Sequence, residues 1–417
     1  MKKESPSRLT RMIAAVLTAL FIPAIFAGGV YGLATSWDDV LHSLRFSKSR
    51  SYLENPDDTS FFAMTKARIQ SLQAALGESV ALKDQMGHIN ASFQYALNKE
   101  QVVAGSWQLL KLPGGQLYAL SQRETLADEA QEAADFYEQV KDRAPFLFAY
   151  VNPQFYEGSV RLPEGYRPLD TSDALADEVL GIIRQTGAPA LDSREFLGTF
   201  GLTDNEAFYR TDMHWTNRAA LRAAQYYAGQ INDLTGSSLD SSRLDEDQMN
   251  VETYENLFLG EYGQQVGAAN SGLDDVVVFT PKYETSLSRT TTGKDWSITE
   301  VSGSFGEAVL KREKLEPEAD GISLRAYAAY GLVEKLEVIE NHGDCEDMTI
   351  LIFRDSYTAP VGSFLSLLAK KVVMVDMRGW DRTAESFVEE YDPDVILFAY
   401  SRQMFEDHGY DLGVEKK

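Results

Sequence analysis

The sequence predicts an α/β protein with a mostly parallel sheet, carried behind an N-terminal transmembrane helix. Short apolar runs, Phe146–Val151 among them, read as strands buried on both faces. These runs alternate with stretches of helical period, the pattern of a doubly wound sheet. A basic cluster of Lys2, Lys3, Arg8 and Arg11 precedes an uncharged, largely apolar run from Met12 to Thr35.

That first run sets the expected compartment. Residues 12–35 as a helix span roughly 36 Å, more than the ~30 Å hydrocarbon core. The basic flank comes first, so the N-terminus is expected in the cytoplasm and the body outside it. The expectation is a single-pass protein of the cell membrane with an extracytoplasmic body. A cleavable signal peptide competes, with Ala27-Gly28-Gly29 as its small-x-small site. The apolar run continues to Ala34, longer than a signal peptide needs.

Composition excludes some partners. The chain has 417 residues, with Lys+Arg 39 against Asp+Glu 63, a net charge of −24. So acidic a body does not favour nucleic acid. The one cysteine, Cys345, has no partner for an internal disulfide and reads as an inert packing residue. Three regions follow: a cytoplasmic tip and signal-anchor helix at 1–35, a spacer and helical region at 36–110, and an α/β domain at 111–417.

Within 36–110, residues 36–60 read as a spacer whose Arg45, Lys48 and Arg50 lie near the membrane, followed by a helical pattern to about Asn98. Val102–Leu120 reads as short strands broken by a tight turn at Pro113-Gly114-Gly115. A helix is expected over Thr125–Lys141, a strand over Phe146–Val151 ended by Asn152-Pro153, a helix over Asp173–Gln185 and a strand over Ala188–Leu191. The rhythm resumes with a helix at Asn217–Ile231, a strand at Met348–Phe353 and a helix from about Pro360 to Lys370. Strand Lys371–Asp376, helix Ala384–Glu390 and strand Val395–Tyr400 complete it. Residues 233–340 interrupt this order as an irregular antiparallel excursion or lid. Its expected strands are Asp274–Thr280 and Tyr283–Leu287, and its expected turn is Thr290-Thr291-Thr292-Gly293.

Two stretches carry candidate chemistry. In Tyr209–Asn217, Asp212 and His214 stand two residues apart just before a helix, where a turn brings both to one side. Ser356 follows the apolar run Ile350–Phe353, at the carboxyl end of a strand, where open α/β sheets bind ligands. A serine needs a base, and an imidazole needs a carboxylate to hold its tautomer. The plainer readings are that Asp355 or Ser356 caps a helix, that Asp212 is a helix-start charge and that His214 is a packed residue. Zinc is disfavoured, because none of His42, His88, His214, His342 and His408 has a paired spacing such as i, i+4. No metal or cofactor is expected.

The run Tyr209-Arg210-Thr211-Asp212-Met213-His214-Trp215-Thr216 resembles the motif of the bacterial DHHW proteins, with Met213 in place of its first histidine. These are SGNH-hydrolase-like relatives of the O-acetyltransferases of alginate and other cell-surface polysaccharides. The likeness includes Val151-Asn152-Pro153, Phe258–Tyr262, Arg354–Tyr357, Val375–Arg378 and Tyr391–Val395. It implies an SGNH-like three-layer fold, with Ser356 as nucleophile, His214 as base and Asp212 as orienting acid. Acid and base precede the serine, unlike the order in most SGNH esterases. It also implies a polysaccharide substrate and an acetyl supply from a multipass membrane acyltransferase partner.

The likeness has two departures. Arg354 stands where SGNH enzymes usually place a glycine before Asp-Ser, and no asparagine is assigned to the oxyanion hole. Tyr357 through its N–H, Arg354, Arg402 and Trp215 are the oxyanion or substrate-binding candidates, each with an equally good structural role. The expected function is a membrane-tethered polysaccharide O-acetyltransferase or acetylesterase. The alternative is a catalytically inactive glycan-binding or scaffold protein of a polysaccharide modification or export complex.

Overall fold

The computed structural model describes residues 94–414, apart from 96, 98, 100, 105–106, 122, 152–161, 163–169, 332–333 and 408–410. The expected transmembrane helix, the spacer, most of the helical stretch after it and the Asn152-Pro153 strand end lie outside the described residues. Among the described residues, no helix is long and apolar enough to cross a membrane. Ala91–Lys417 forms one compact unit.

Three antiparallel strands come first: β1 (Gln101–Ala104), β2 (Trp107–Lys111) and β3 (Leu117–Ala119). The Pro113-Gly114-Gly115 break forms a single 3-10 turn between β2 and β3. Helices and strands then alternate: helix Ala127–Val140, β4 (Phe146–Val151), helix Ser172–Gln185, β5 (Ala190–Asp192) and helix Asn217–Thr235. Next come β6 (Met249–Phe258), β7 (Asp274–Pro281), β8 (Leu287–Thr292), β9 (Ile298–Gly303) and β10 (Leu336–Asn341). The chain closes with β11 (Glu346–Arg354), helix Ala359–Leu365, β12 (Ala369–Val375), helix Ala384–Tyr391, β13 (Val395–Ser401) and helix Arg402–Asp407.

The main sheet has eight strands in the order β5-β4-β13-β11-β12-β10-β8-β9. Pairing is parallel from β5 to β12 and antiparallel from β12 to β9. The chain leaves β4 toward one edge and β11 toward the other, while β13 lies between them. The strand order therefore reverses at β13, the kind of switch point where α/β sheets leave a crevice.

Both faces of the parallel strands are covered, making three layers. Phe148, Phe353, Phe398 and Tyr400 pack with Phe136, Val179 and Phe387 of three helices on one face. Ile350, Ile352, Leu397 and Met374 pack with Ala220, Tyr227 and Phe364 of helices Asn217–Thr235 and Ala359–Leu365 on the other. Period-2 side-chain alternation splits each apolar run between the two cores, which is why those runs carry no polar face. Phe398 stacks on Phe148 at 5.7 Å between ring centroids and lies 6.0 Å from Phe136. Truncating such a buried ring to alanine costs about 3–5 kcal/mol.

Three expected elements are corrected. The helix expected to reach Lys370 stops at Leu365, because Ala369 and Lys371 enter the parallel ladder opposite Glu346 and Thr349. The strand expected at Tyr283–Leu287 instead runs Leu287–Thr292, and the turn expected at Thr290–Gly293 moves past it. Thr290, Thr291 and Thr292 pair with both β10 and β9. β-Branched residues suit that ladder, and Leu287, Arg289 and Thr291 supply its buried face. The excursion is antiparallel as expected: β6 and β7 form a separate ribbon, whereas β8, β9 and β10 extend the main sheet.

Candidate active site

The loop that carries Asp212 and His214 is closed at its base. Phe208 and Trp215 form an antiparallel bridge, and Thr216 N–H donates to the Ala207 carbonyl at 2.9 Å. Thr216 caps helix Asn217–Thr235, accepting from Ala219 N–H. Asp and His thus sit in a tight turn outside the helix.

Segment 260–274 holds this loop from behind. Asp274 is buried and accepts from the N–H groups of Arg210 and Thr211, both at 2.9 Å, and from the Thr211 hydroxyl at 2.6 Å. Gly260 N–H donates to Thr211 Oγ1 at 2.8 Å, and Gly263 N–H to the Thr211 carbonyl at 2.8 Å. A Cβ on Gly260 would overlap Asp212 Cβ and approach the Thr211 carbonyl carbon to 2.7 Å. Glycine is needed here for close approach.

Asp212 is 2 % exposed. Its Oδ1 accepts from His214 N–H at 2.9 Å and lies 2.5 Å from His214 Nδ1, while Oδ2 accepts from Glu261 N–H at 2.9 Å. Burial pushes its pKa up, but the His214 imidazole and these backbone donors outweigh that and hold the carboxyl below its usual range. A carboxylate at Nδ1 fixes the proton there and leaves Nε2 as an acceptor.

Ser356 meets that acceptor. Its Oγ lies 2.7 Å from His214 Nε2. The serine sits just beyond β11 in a turn braced by Asp355, which accepts from Tyr357 N–H at 3.0 Å and from Ser401 N–H at 2.7 Å. The latter bond ties the turn to the end of β13. The His214 ring packs on Tyr327 at 4.6 Å and on Tyr357 at 4.9 Å between centroids. The structure thus brings together Ser356, His214 and Asp212 from loops 142 residues apart.

A cleft of about 230 Å³ opens over this chain of hydrogen bonds, and Ser356, His214, Glu261, Lys294, Tyr327 and Arg378 help line it. Burial, then the charge of Asp212, raises the Glu261 carboxyl pKa. Burial pushes Tyr327 up to about 12. Arg378 is clamped on Asp376 through Nε–Oδ1 at 2.9 Å and Nη2–Oδ2 at 2.5 Å. Among the described residues, no group of three or more His, Cys, Asp or Glu is placed to hold a metal.

The four oxyanion or substrate-binding candidates fall elsewhere. Tyr357 N–H is committed to Asp355 Oδ1, and its ring packs on His214 and Trp215. Arg354 is fully buried and turned away from the cleft, with Nη2 2.9 Å from the Glu334 carbonyl and 3.2 Å from Glu337 Oε1. An arginine fits where glycine was expected because its side chain leaves the site for that buried carboxylate. Arg402 is buried and donates to Ser172 Oγ, with Nε 3.3 Å from Glu406. Trp215 is buried packing. Sequence reasoning missed Asp274, Tyr327, Glu261, Lys294 and Arg378. Glu261 and Arg378 lie in segments that carried the resemblance but received no role; Tyr327 lies in a stretch with no readable period.

Residues 116–292 match the family described as SGNH hydrolase-like domain, acetyltransferase AlgX. Residues 116–292 are thus similar to an SGNH hydrolase-like domain. The matched range of that SGNH-like domain includes Asp212 and His214 and ends before Ser356, so the serine's place rests on the coordinates. A DHHW family protein from Eubacterium siraeum is similar at 18% identity and TM-score 0.55, covering 74% of this chain and 94% of that one. PatB1 of Bacillus cereus, solved with a sulfonyl adduct, is similar at 16% identity and TM-score 0.57, covering 74% and 98%. These two likenesses concern the fold. The resemblance read from the sequence, to DHHW and SGNH-like acetyltransferase-type proteins, holds. No curated protein matches the sequence.

Proposed function

We propose that the chain is a membrane-tethered, extracytoplasmic O-acetyltransferase or acetylesterase acting on a cell-envelope or secreted polysaccharide. The reading is carried by the continuous contact from Ser356 Oγ through both nitrogens of His214 to Asp212, at the wall of an open cleft. Ser356 is the nucleophile, His214 the general base and Asp212 the orienting acid. As Oγ bonds to the acetyl carbonyl carbon, its proton moves to Nε2. The C–O bond to the donor then breaks, and the departing oxygen takes that proton. A sugar hydroxyl or water next gives its proton to Nε2 and attacks the acetyl-serine, and Ser356 leaves with the proton restored. Asp212 stabilises the imidazolium in each half.

The match to an acetyltransferase-type family supports acetyl as the group carried. An extracytoplasmic acetyl donor implies a multipass acyltransferase partner, and the basic-then-apolar N-terminal segment supports the tether. The competing reading, an inactive glycan-binding or scaffold protein, draws on one observation: Tyr357 N–H, the expected oxyanion donor, is already bonded to Asp355.

A sulfonyl electrophile is a suitable probe, since the similarly folded PatB1 is known with a sulfonyl adduct. The purified full chain should be labelled once, at Ser356, and should hydrolyse nitrophenyl acetate. Both signals should vanish in Ser356→Ala and His214→Ala proteins that melt as wild type does. Folded wild type that neither labels nor turns over the ester rules out the enzyme.

A further inference from the structure

Trp296 occupies the turn between β8 and β9 and is 50% exposed. Its φ is +66°, a left-handed conformation that bulky L-residues rarely adopt. The turn imposes it: Trp296 N–H donates to the Gly293 carbonyl at 3.0 Å, Gly293 N–H to the Ser297 carbonyl at 2.8 Å, and Asp295 accepts from Ser297. A strained turn is thus spent on holding an indole in solvent.

The indole is positioned. It meets Trp380 at 5.0 Å between centroids and 82° between planes. Trp380 is pinned by Nε1–H donating to the Asp376 carbonyl at 2.8 Å and by edge packing on Phe387 at 5.0 Å. Lys335 Nζ lies 4.2 Å from the Trp296 ring centre and 5.5 Å from that of Trp380, and donates to the Gly379 carbonyl at 2.6 Å. Lys294 and Arg378 line the Ser356 cleft, and each lies two residues from one of these tryptophans. Two residues of chain span at most about 7 Å, so each tryptophan's backbone lies within that distance of the backbone of a residue that lines the cleft.

We propose that Trp296, backed by Trp380 and flanked by Lys294 and Lys335, is a stacking platform for one pyranose ring of a glycan at the rim of the cleft. This rests on the reading that the cleft handles glycan-borne esters. A cleft of about 230 Å³ is smaller than the 300–1,000 Å³ of ordinary ligand pockets, so a polymer delivering an ester to Ser356 must run out across the rim. There it meets a flat indole that suits the C–H face of a sugar. Lys294 lines the cleft beside the indole, while the Lys335 ammonium is held between the Trp296 ring and the Gly379 carbonyl.

The test is affinity electrophoresis of the full chain, in mild detergent, through gels holding alginate, polygalacturonate, hydroxyethyl cellulose or glycol chitin. At least one polymer should retard wild type. Trp296→Ala should raise the apparent Kd at least five-fold with an unchanged melting temperature, and Trp296→Phe should fall between. Unretarded wild type in every gel overturns the platform, as does equal retardation of Trp296→Ala. Self-association lost in Trp296→Ala, without polymer retardation, also overturns it and assigns the surface to a second copy. Sulfonyl labelling without retardation sinks the platform alone; retardation without labelling keeps it and removes the acyl chemistry.

Discussion

His214 is held differently on its two sides. Toward Asp212, the three backbone and ring donors are paired, the acid is buried, and Thr211 beside it is bonded to Asp274 and Gly260. Toward Ser356 there is one contact, made by a half-buried serine at the wall of an open cleft. The difference separates two tasks. The ring's orientation is over-determined by buried, mutually bonded groups, while the single bond on the reacting side is free to be exchanged for a bond to substrate. Preorganisation of this kind costs nothing at the moment of reaction.

Asp212→Asn attacks the rigid side at its centre and should have the largest effect. The amide can donate as well as accept, so it favours the tautomer with its proton on Nε2, where Ser356 needs an acceptor. A loss of about 10³–10⁴-fold in kcat/KM is expected, with little change in melting temperature. Rates within ten-fold of wild type would remove Asp212 from the mechanism.

Asp274→Ala tests whether the support behind the loop matters as much as the acid itself. It leaves the Arg210 and Thr211 N–H groups and the Thr211 hydroxyl without their buried acceptor. Denaturant unfolding should show a loss of about 2–4 kcal/mol. Residual activity at low temperature should fall less than in Asp212→Asn. If Asp274→Ala is as stable as wild type, the loop is held by something else.

The two sides also differ in how they met the sequence. Ser356 was legible because β11 is an apolar run that ends abruptly, and local patterning suffices to place a strand end. Asp212 and His214 were legible because their spacing makes sense only before a helix. The parallel strands were found nearly to the residue for the same reason. Asp274, Gly260 and Tyr327 were not legible, since each acts through a contact made tens of residues away. The Thr290–Thr292 run shows the same limit. Its hydroxyls look like turn chemistry until the ladders with β9 and β10 decide otherwise. For the four oxyanion or binding candidates, closeness in sequence to the two motifs was legible, while the direction in which each side chain turns was not.

Acid should weaken the rigid side first. Asp212, Asp376 and Glu337 are buried, and their charged or hydrogen-bonded neighbours outweigh burial to hold their carboxyls below the usual range. As pH falls through about 4, the unfolded chain takes up protons that the folded protein resists, so stability present above that pH is lost below it. The raised pKa values of Asp355 and Glu261 work in the opposite direction and soften the fall. The melting temperature should drop between about pH 5 and pH 3, less steeply in Asp376→Asn. An identical slope in that variant would show that Asp376 takes no part.

Glu261 belongs to both sides, which makes it the finest probe of the contrast. Its backbone N–H fixes Asp212, while its carboxyl faces the cleft. Burial and the Asp212 charge raise that carboxyl's pKa, so its own charge appears only above the usual carboxyl range. Once ionised, it places a second carboxylate beside Asp212 at the wall of the cleft. Glu261→Gln keeps the backbone bond and removes that charge. Any step that this ionisation puts into the kcat/KM profile above the usual carboxyl range should therefore be absent from Glu261→Gln. The plateau rate should stay within about three-fold, because the rigid side is untouched. A step that persists in Glu261→Gln would mean that another group titrates there, and a large fall in the plateau would mean the side chain shares the work assigned to its backbone.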